Sequence, residues 1–383
     1  MTERKGALSI SIGPRVRKSP YFEATLRYGA KAFTVYNHMY MPSTYSDPIS
    51  EYRSLVEGVT LWDVACERQV EITGPDAERF TQFLTPRNIS GCAINQCMYV
   101  ILTDTFGGIV NDAVLLRVEE KKYWLSPGDG DVLLWAQGVA ALSDLDVNIT
   151  EPDVSPMQLQ GPLSPQVAEK LFGKLAYELG YYRMQSIMLD QIPLVLSRTG
   201  WSGELGYELF LQDGRYGEDL WERVAEAGQE FNIAPIAPSM IRSIEGGILS
   251  YVSDIQPTDD PFTIGMERLL DLDMESDFIG KEALRNIKAS GPKRKLVGVE
   301  IAGRPIDGND EFWAVSDESG RIGHITRCAF SPRLKKNIGF ANIPNESASL
   351  GKALRVDAKS GTVEAVIVPT PWFQSIKKIE KPS

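Results

Sequence analysis

The chain has 383 residues, 43% of them hydrophobic and 24% charged, a balance that supports well-filled cores and, at roughly 100 to 200 residues per domain, two or three domains. A formal net charge of −11 and a pI of about 5.0 give a field that repels phosphate backbones and anionic membranes, so a nucleic-acid partner is not expected. No apolar run reaches the roughly 18 to 20 residues of a membrane helix, and the polar start Met1–Ile10 lacks the apolar core of a secretory leader; a cytoplasmic chain with no membrane partner is expected.

Near the start, Pro20-Tyr21-Phe22 and the stretch from Phe33 to Met39 concentrate aromatic residues. Gln69 to Thr73 alternates as a strand, Gly74-Pro75-Asp76 turns, and Ala77 to Leu84 has the spacing of an amphipathic helix that ends before Pro86. Cys97 to Thr103 and Ile109 to Val118 read as a hairpin across the glycine-containing turn Asp104 to Gly108, and Leu133 to Leu142 reads as a helix. A second strand–turn–helix unit follows, with Met157 to Pro162 leading into Pro165 to Phe172, so the chain is expected to hold two related half-units. Strands at Ile187 to Leu189 and Leu194 to Thr199 and a helix from Tyr216 to Glu230 continue without a parallel-sheet rhythm, which points to an α+β fold with antiparallel sheets. Beyond Lys281 to Leu284 the segment Ala289 to Lys293 breaks the pattern. Short strands follow, including a hairpin over Val315 to Ile322, and the expected division is residues 1–290, with two related α+β subdomains, and residues 291–383, rich in β-structure.

Cys66, Cys92, Cys97 and Cys328 show no CxxC spacing, and neither His38 nor His324 lies in a metal-ligand pattern, so no metal is expected. With two histidines in the chain, acid–base chemistry falls to carboxylates, tyrosines or a cofactor. Dinucleotide, P-loop, nucleophile-elbow and HExxH motifs are absent. Three places concentrate polar groups in apolar surroundings. Asp112 follows Asn111 between Ile109-Val110 and Ala113 to Leu116, where a carboxylate either faces solvent by alternation or serves a purpose. Arg198 to Glu208 holds three glycines, two aromatics and two carboxylates, a composition that fits a flat ligand or a structural hairpin. Gly323 to Pro332 sets Thr326, Arg327 and Ser331 among strand residues, as a domain-interface strand also would. Lys and Arg cluster at Gly291 to Lys295 and Arg333 to Lys336, read as solvated edges or as a place for a carboxylate tail.

Taken in order, these segments resemble the aminomethyltransferase (glycine-cleavage T-protein) family over about Glu51 to Phe373, with support from Leu61 to Val64, Glu71 to Asp76, Leu159 to Pro162, Ile244 to Gly247, Asp277 to Leu284 and Phe330 to Gly339. The resemblance implies three subdomains arranged as a cloverleaf around a folate channel, ending in a barrel-like β-rich domain. It implies tetrahydrofolate as the one-carbon acceptor. Asp112 matches the family's site aspartate, Glu208 the glutamate that binds the pterin's amino edge, and Tyr99 and Trp201 the aromatics lining the folate. Within the family, Arg15 to Pro42 and Trp62 to Val70 resemble the branch that demethylates dimethylsulfoniopropionate.

The expected activity is therefore that of a tetrahydrofolate-dependent methyltransferase or demethylase, with a small-molecule methyl donor as partner. Asp112 is the expected catalytic group, and Tyr21, Phe22 and Tyr207 are candidates for binding the donor cation through their aromatic faces. The alternatives are a T-protein-like aminomethyltransferase, a folate demethylase acting on a methylated amine or methoxy compound, and a non-catalytic folate-binding regulatory protein.

Overall fold

Two units of the same design recur along the chain. Strand Val70–Thr73 runs through Gly74-Pro75 into helix Ala77–Leu84, and strand Ser155–Gln160 runs through Gly161-Pro162 into helix Ser164–Phe172. The two glycines hold nearly the same left-handed backbone, with φ of 124° at Gly74 and 122° at Gly161. A side chain fits at neither, because a Cβ would stand 2.5 Å from the Asp146 carbonyl oxygen in the first and 2.5 Å from that of Gly58 in the second. The structure is a computed structural model that describes residues 12–379, and the leader reading at Met1–Ile10 lies outside them.

Each unit belongs to its own sheet. The first lies in a five-stranded antiparallel sheet ordered Gln96–Thr103, Ile109–Glu119, Lys122–Pro127, Val70–Thr73, Asn148–Thr150. Helix Ala77–Leu84 covers one face of it, burying Ala77, Phe80 and Leu84 at the three-to-four-residue spacing of an amphipathic helix against Ile72, Val100 and Leu115. The second unit lies in a six-stranded sheet ordered Met184–Leu189, Ile192–Ser197, Gly206–Leu211, Ser155–Gln160, Thr60–Asp63, Ala234–Pro235, in which the last two strands pair in parallel. Cys97, Leu116 and Trp124 of the first sheet meet Met184, Val195 and Phe210 of the second in a shared apolar layer, with the rings of Trp124 and Phe210 6.3 Å apart.

Helix Lys281–Ser290 and Gly291 lead into a closed six-stranded barrel formed by Arg294–Ile301, Trp313–Asp317, Gly320–Ser331, Lys336–Pro344, Ala353–Ala358 and Gly361–Val368. Closure leaves no unpaired edge, and alternate residues such as Val299, Ile301, Ile325, Ile343 and Val356 fill the interior. The barrel docks through Ala329, Ile338 and Phe340 onto Tyr52, Ile101, Ile109 and Ile244, so all three subdomains share one junction. This is the expected α+β cloverleaf. The basic stretches are used internally: Lys295 pairs with Glu267, Arg333 with Glu245 and Lys336 with Glu300.

A hairpin of Ala32–Tyr36 and Met39–Thr44 turns at Asn37 and His38, both left-handed at φ 48° and 64°, the conformation that matches the twist of a tight hairpin. Phe33 packs on Phe22 at 5.0 Å between ring centroids, and the hairpin carries Tyr36 to the junction. Among the described residues, no helix is long and apolar enough to cross a membrane.

Candidate active site

Alternation along strand Ile109–Glu119 sends Ile109, Asn111, Ala113 and Leu115 into the core and leaves Val110, Asp112 and Val114 half-buried on the opposite face. The neighbouring strand pairs Tyr99 with Val114 and Ile101 with Asp112, which makes Tyr99 the diagonal neighbour of Asp112. Its hydroxyl donates to Asp112 Oδ2 at 2.7 Å. Burial raises the Asp112 carboxyl from its ordinary value; the Tyr99 hydrogen bond offsets part of that, and the charge of Asp254 adds to it. Burial and then the charge of Asp112 push the Tyr99 phenol well up, so Tyr99 keeps its proton and remains the donor.

Glu208 comes from the other sheet. In strand Gly206–Leu211 it stands opposite Gln158 and Ser197, accepting from Gln158 Nε2 at 2.7 Å and from the Thr199 hydroxyl. A third carboxyl, Glu67, follows strand Thr60–Asp63. Gln69 Nε2 donates to Ser126 Oγ at 2.9 Å, and the Ser126 hydroxyl donates to Glu67 Oε2 at 3.2 Å. Gln69 Oε1 has no partner among the described residues. Burial, then the charge of Glu208, then that of Asp112 hold Glu67 well above its ordinary value. Burial raises Glu208 too, but Thr199 and Gln158 pull it down, so Glu208 is the better placed of the two to keep its charge. Among the described residues, Asp112, Glu67 and Glu208 have no ion-pair partner; their donors are all neutral.

Aromatic residues from separate segments surround these carboxyls. The Tyr36 hydroxyl accepts from the Asp129 amide at 2.9 Å and, after burial, feels Cys66, Asp112, Glu67 and Asp129. Tyr251, with a phenol pushed up to about 12 by burial and then by Asp112 and Asp129, lies beside Gly128. Trp201 is half-buried against Trp62 and Ile236, and its ring faces the Arg327 guanidinium at 5.9 Å. Arg327, which comes from the barrel, donates to Asp254 at 2.7 Å and to Ser243 at 3.0 Å, while Thr326 donates to Asp254 at 2.6 Å. Tyr36, Glu67, Tyr99 and Asp112 each keep some accessible surface although burial dominates their ionisation.

The structure thus gathers Tyr99, Asp112, Trp201 and Glu208 around one interior. Tyr21, Phe22 and Tyr207, read from the sequence as candidates for binding the donor, pack elsewhere. Tyr21 is fully buried, donates to the Ser155 carbonyl at 2.7 Å and packs near Trp221. Phe22 sits under the hairpin between Phe33 and Tyr40. Tyr207 is fully buried and donates to the Ala176 carbonyl at 2.5 Å, with Arg198 over its ring. Sequence reasoning missed Tyr36, Glu67 and Tyr251. The Asn37-His38 turn after Tyr36 was a readable hairpin signal; Glu67 and Tyr251 leave no periodicity to follow.

Two family models cover most of the chain: the GCVT N-terminal domain matches residues 21–274, and the glycine cleavage T-protein C-terminal barrel domain matches residues 294–374. The dimethylsulfoniopropionate demethylase DmdA of Ruegeria pomeroyi is 33% identical over 353 residues, 92% of this chain and 96% of that protein. An aminomethyltransferase of Symbiobacterium thermophilum is 30% identical over 375 residues, 94% of this chain and 98% of that protein. The crystal structure of the glycine cleavage system aminomethyltransferase T from Bartonella henselae superposes with a TM-score of 0.85 at 20% identity, covering 95% of this chain and all of that one, a likeness of fold.

Proposed function

The chain belongs to the glycine-cleavage T-protein family of tetrahydrofolate-dependent transferases, and from that membership we propose that it moves a methyl group from dimethylsulfoniopropionate, or a closely similar sulfonium, to N5 of tetrahydrofolate. The products are methylmercaptopropionate and 5-methyltetrahydrofolate. The observation that carries this reading is a set of three neighbouring carboxyls with neutral hydrogen-bond donors and no cationic partner among the described residues.

The donor set fits the folate. A pterin offers amino and ring N–H groups along one edge and needs acceptors for them, and Glu208 is a buried carboxylate compensated only by Gln158 and Thr199. Glu208 and Asp112 are the residues to hold that edge, with Tyr99 and Trp201 against its faces. When bound, tetrahydrofolate supplies a nucleophilic nitrogen.

A sulfonium leaves as a neutral thioether, so its methyl group is already activated and alignment supplies much of the acceleration. The overall reaction breaks one S–C bond, forms one N–C bond and releases one proton. Asp112 takes that proton on a carboxyl oxygen: burial lifts its affinity for protons toward the working range, and Tyr99, which cannot give up its own proton, holds it in place. Trp201, fixed by Arg327, walls the same interior against water.

Anaerobic incubation of the purified protein with tetrahydrofolate and dimethylsulfoniopropionate, followed by mass spectrometry, tests the reading. Both products in equal amounts are expected. Neither product, with tetrahydrofolate still bound, would overturn the sulfonium donor. A second reading, aminomethyl transfer, is favoured by the 30% identity to aminomethyltransferases across nearly the whole chain; a dihydrolipoyl carrier loaded with an aminomethyl group, in place of the sulfonium, separates the two.

A further inference from the structure

Helix Val132–Ala141 differs from the other long helices in what it shows to water. On helix Gly217–Gly228 the exposed positions carry Glu222, Arg223 and Glu226, and on helix Lys281–Ser290 they carry Glu282, Arg285 and Lys288. From Val132 to Ser143 the chain has no ionisable side chain. Val132 and Ala136 face the core of the five-stranded sheet, with Leu133, Trp135, Val139 and Ala140 half-buried beside them. The outward residues are Leu134, Gln137, Gly138 and Ala141, with Leu142 directly after the helix, and their three- and four-residue spacing puts them on one face. Leu134 is 64% exposed and Leu142 93%.

Charge narrows what could cover this face. Helices that lie on lipid flank their apolar side with Lys and Arg, whereas the residues flanking this one are Asp131, Asp144 and Asp146, in a chain of net charge −11. A basic partner would find acids only at the two ends of the face and none along it. The pattern on the face is instead its own complement. Leu134 and Leu142 each stand four residues from Gly138, so a two-fold axis through Gly138, pairing the helix antiparallel with a copy of itself, sets Leu134 of each copy against Leu142 of the other. Gly138 leaves room for the helices to approach at the crossing: a Cβ built there meets nothing within 4 Å among the described residues.

We propose that this face is a self-association surface, through which two copies of the chain form an antiparallel two-fold dimer closed by Leu134, Gly138 and Leu142. Its 10 residues span about 15 Å, and a helix pair of that length buries less than the roughly 1,200 Å² of a stable interface, so the dimer is weak and reversible. Each residue enters a two-fold contact twice, which doubles the effect of any substitution in it. The copies repel at long range through their like net charge and the aspartates at both ends of the face. Salt screens that repulsion, so association strengthens as ionic strength rises. The surface does not depend on which methyl donor the site takes.

Sedimentation equilibrium of the full chain, from about 1 to 500 µM protein at low and at high sodium chloride, tests the surface. A monomer–dimer equilibrium is expected, with a Kd on the order of 10 to 100 µM that tightens at high salt. Leu134→Gln and Leu142→Gln are neutral changes at exposed positions, and Gly138→Leu adds bulk that only a second copy would meet. Each is expected to raise the Kd at least about tenfold while the urea midpoint stays the same or rises. Leu350→Gln, at a position 67% exposed and outside the helix, is expected to leave association unchanged. A chain that stays monomeric throughout, a dimer that the three helix changes leave intact, one that Leu350→Gln weakens equally, or one that loosens with salt would overturn the surface.

Discussion

Two sets of buried carboxylates lie in this interior and are treated in opposite ways. Asp254, Glu204 and Glu245 each have an arginine: Arg327 at 2.7 Å, Arg242 at 2.6 Å and Arg333 at 2.5 Å. Asp112, Glu67 and Glu208 have only tyrosine, serine, threonine and glutamine donors. The first set joins subdomains, since Arg327 and Arg333 come from the barrel while Asp254 and Glu245 come from the segment before it. The second set cannot be explained as docking. A buried carboxyl without a counter-charge costs several kcal/mol unless hydrogen bonds, a proton or a ligand compensate it, and in the second set only neutral donors stand against the carboxyls.

Breaking a member of each set should give opposite results. Arg327→Met strands Asp254 at the barrel junction and is expected to cost about 3 to 5 kcal/mol of stability, read from urea denaturation. A loss near zero would mean that the pair does not dock the barrel. Asp112→Asn removes an uncompensated carboxyl and is expected to leave the denaturation midpoint unchanged or higher while lowering turnover by roughly two or more powers of ten. Near-normal turnover would remove Asp112 from the chemistry.

The distinction between the two sets was only partly legible in the sequence. Helix Ala77–Leu84, both Gly-Pro turns and the hairpin read from Cys97 to Val118 follow local rules of spacing and turn chemistry, and the structure places them where those rules do. Asp112 stood out as a carboxylate among apolar strand residues. Alternation gives the face on which it lies but not whether that face meets water or a closed interior, and only the assembly of three subdomains decides that. For the same reason Tyr21 and Tyr207 could not be told from Tyr36 and Tyr251. Each is an aromatic ring in apolar company, and what separates them is whether carboxyls or a filled core lie across from the ring. Arg327 was noted in its strand, but its partner Asp254 is distant in sequence.

A smaller effect is expected at Glu208. Glu208→Gln keeps one acceptor oxygen, for Gln158 or for Thr199, sets an NH2 group against the other, and offers a pterin edge that donates one acceptor fewer, so tetrahydrofolate affinity is expected to fall roughly tenfold. Fluorescence titration of the folate measures it, and an unchanged affinity would place the pterin elsewhere in the interior.

The smallest effect concerns pH and the carboxyl with the weakest support. Burial and the charge of Glu208 raise the folded-state value of Glu67 well above its unfolded value of about 4.3, with Asp112 adding to the shift. The neutral acid is therefore the form the fold tolerates. Its contribution is fully present below the unfolded value and is lost as pH rises through the folded one, where an uncompensated charge must appear beside Glu208 and Asp112. Glu67→Gln keeps an acceptor for Ser126 and carries no charge at any pH. The variant's stability advantage over the unaltered chain is thus expected to widen as pH rises from 5 to 8. Asp63, which burial raises to about 6, also titrates in that window, but it is present in both proteins and cancels in the difference. Urea midpoints at three pH values suffice to measure the gap. A gap that stays constant with pH would mean that Glu67 ionises freely in the folded chain and belongs with the compensated set after all.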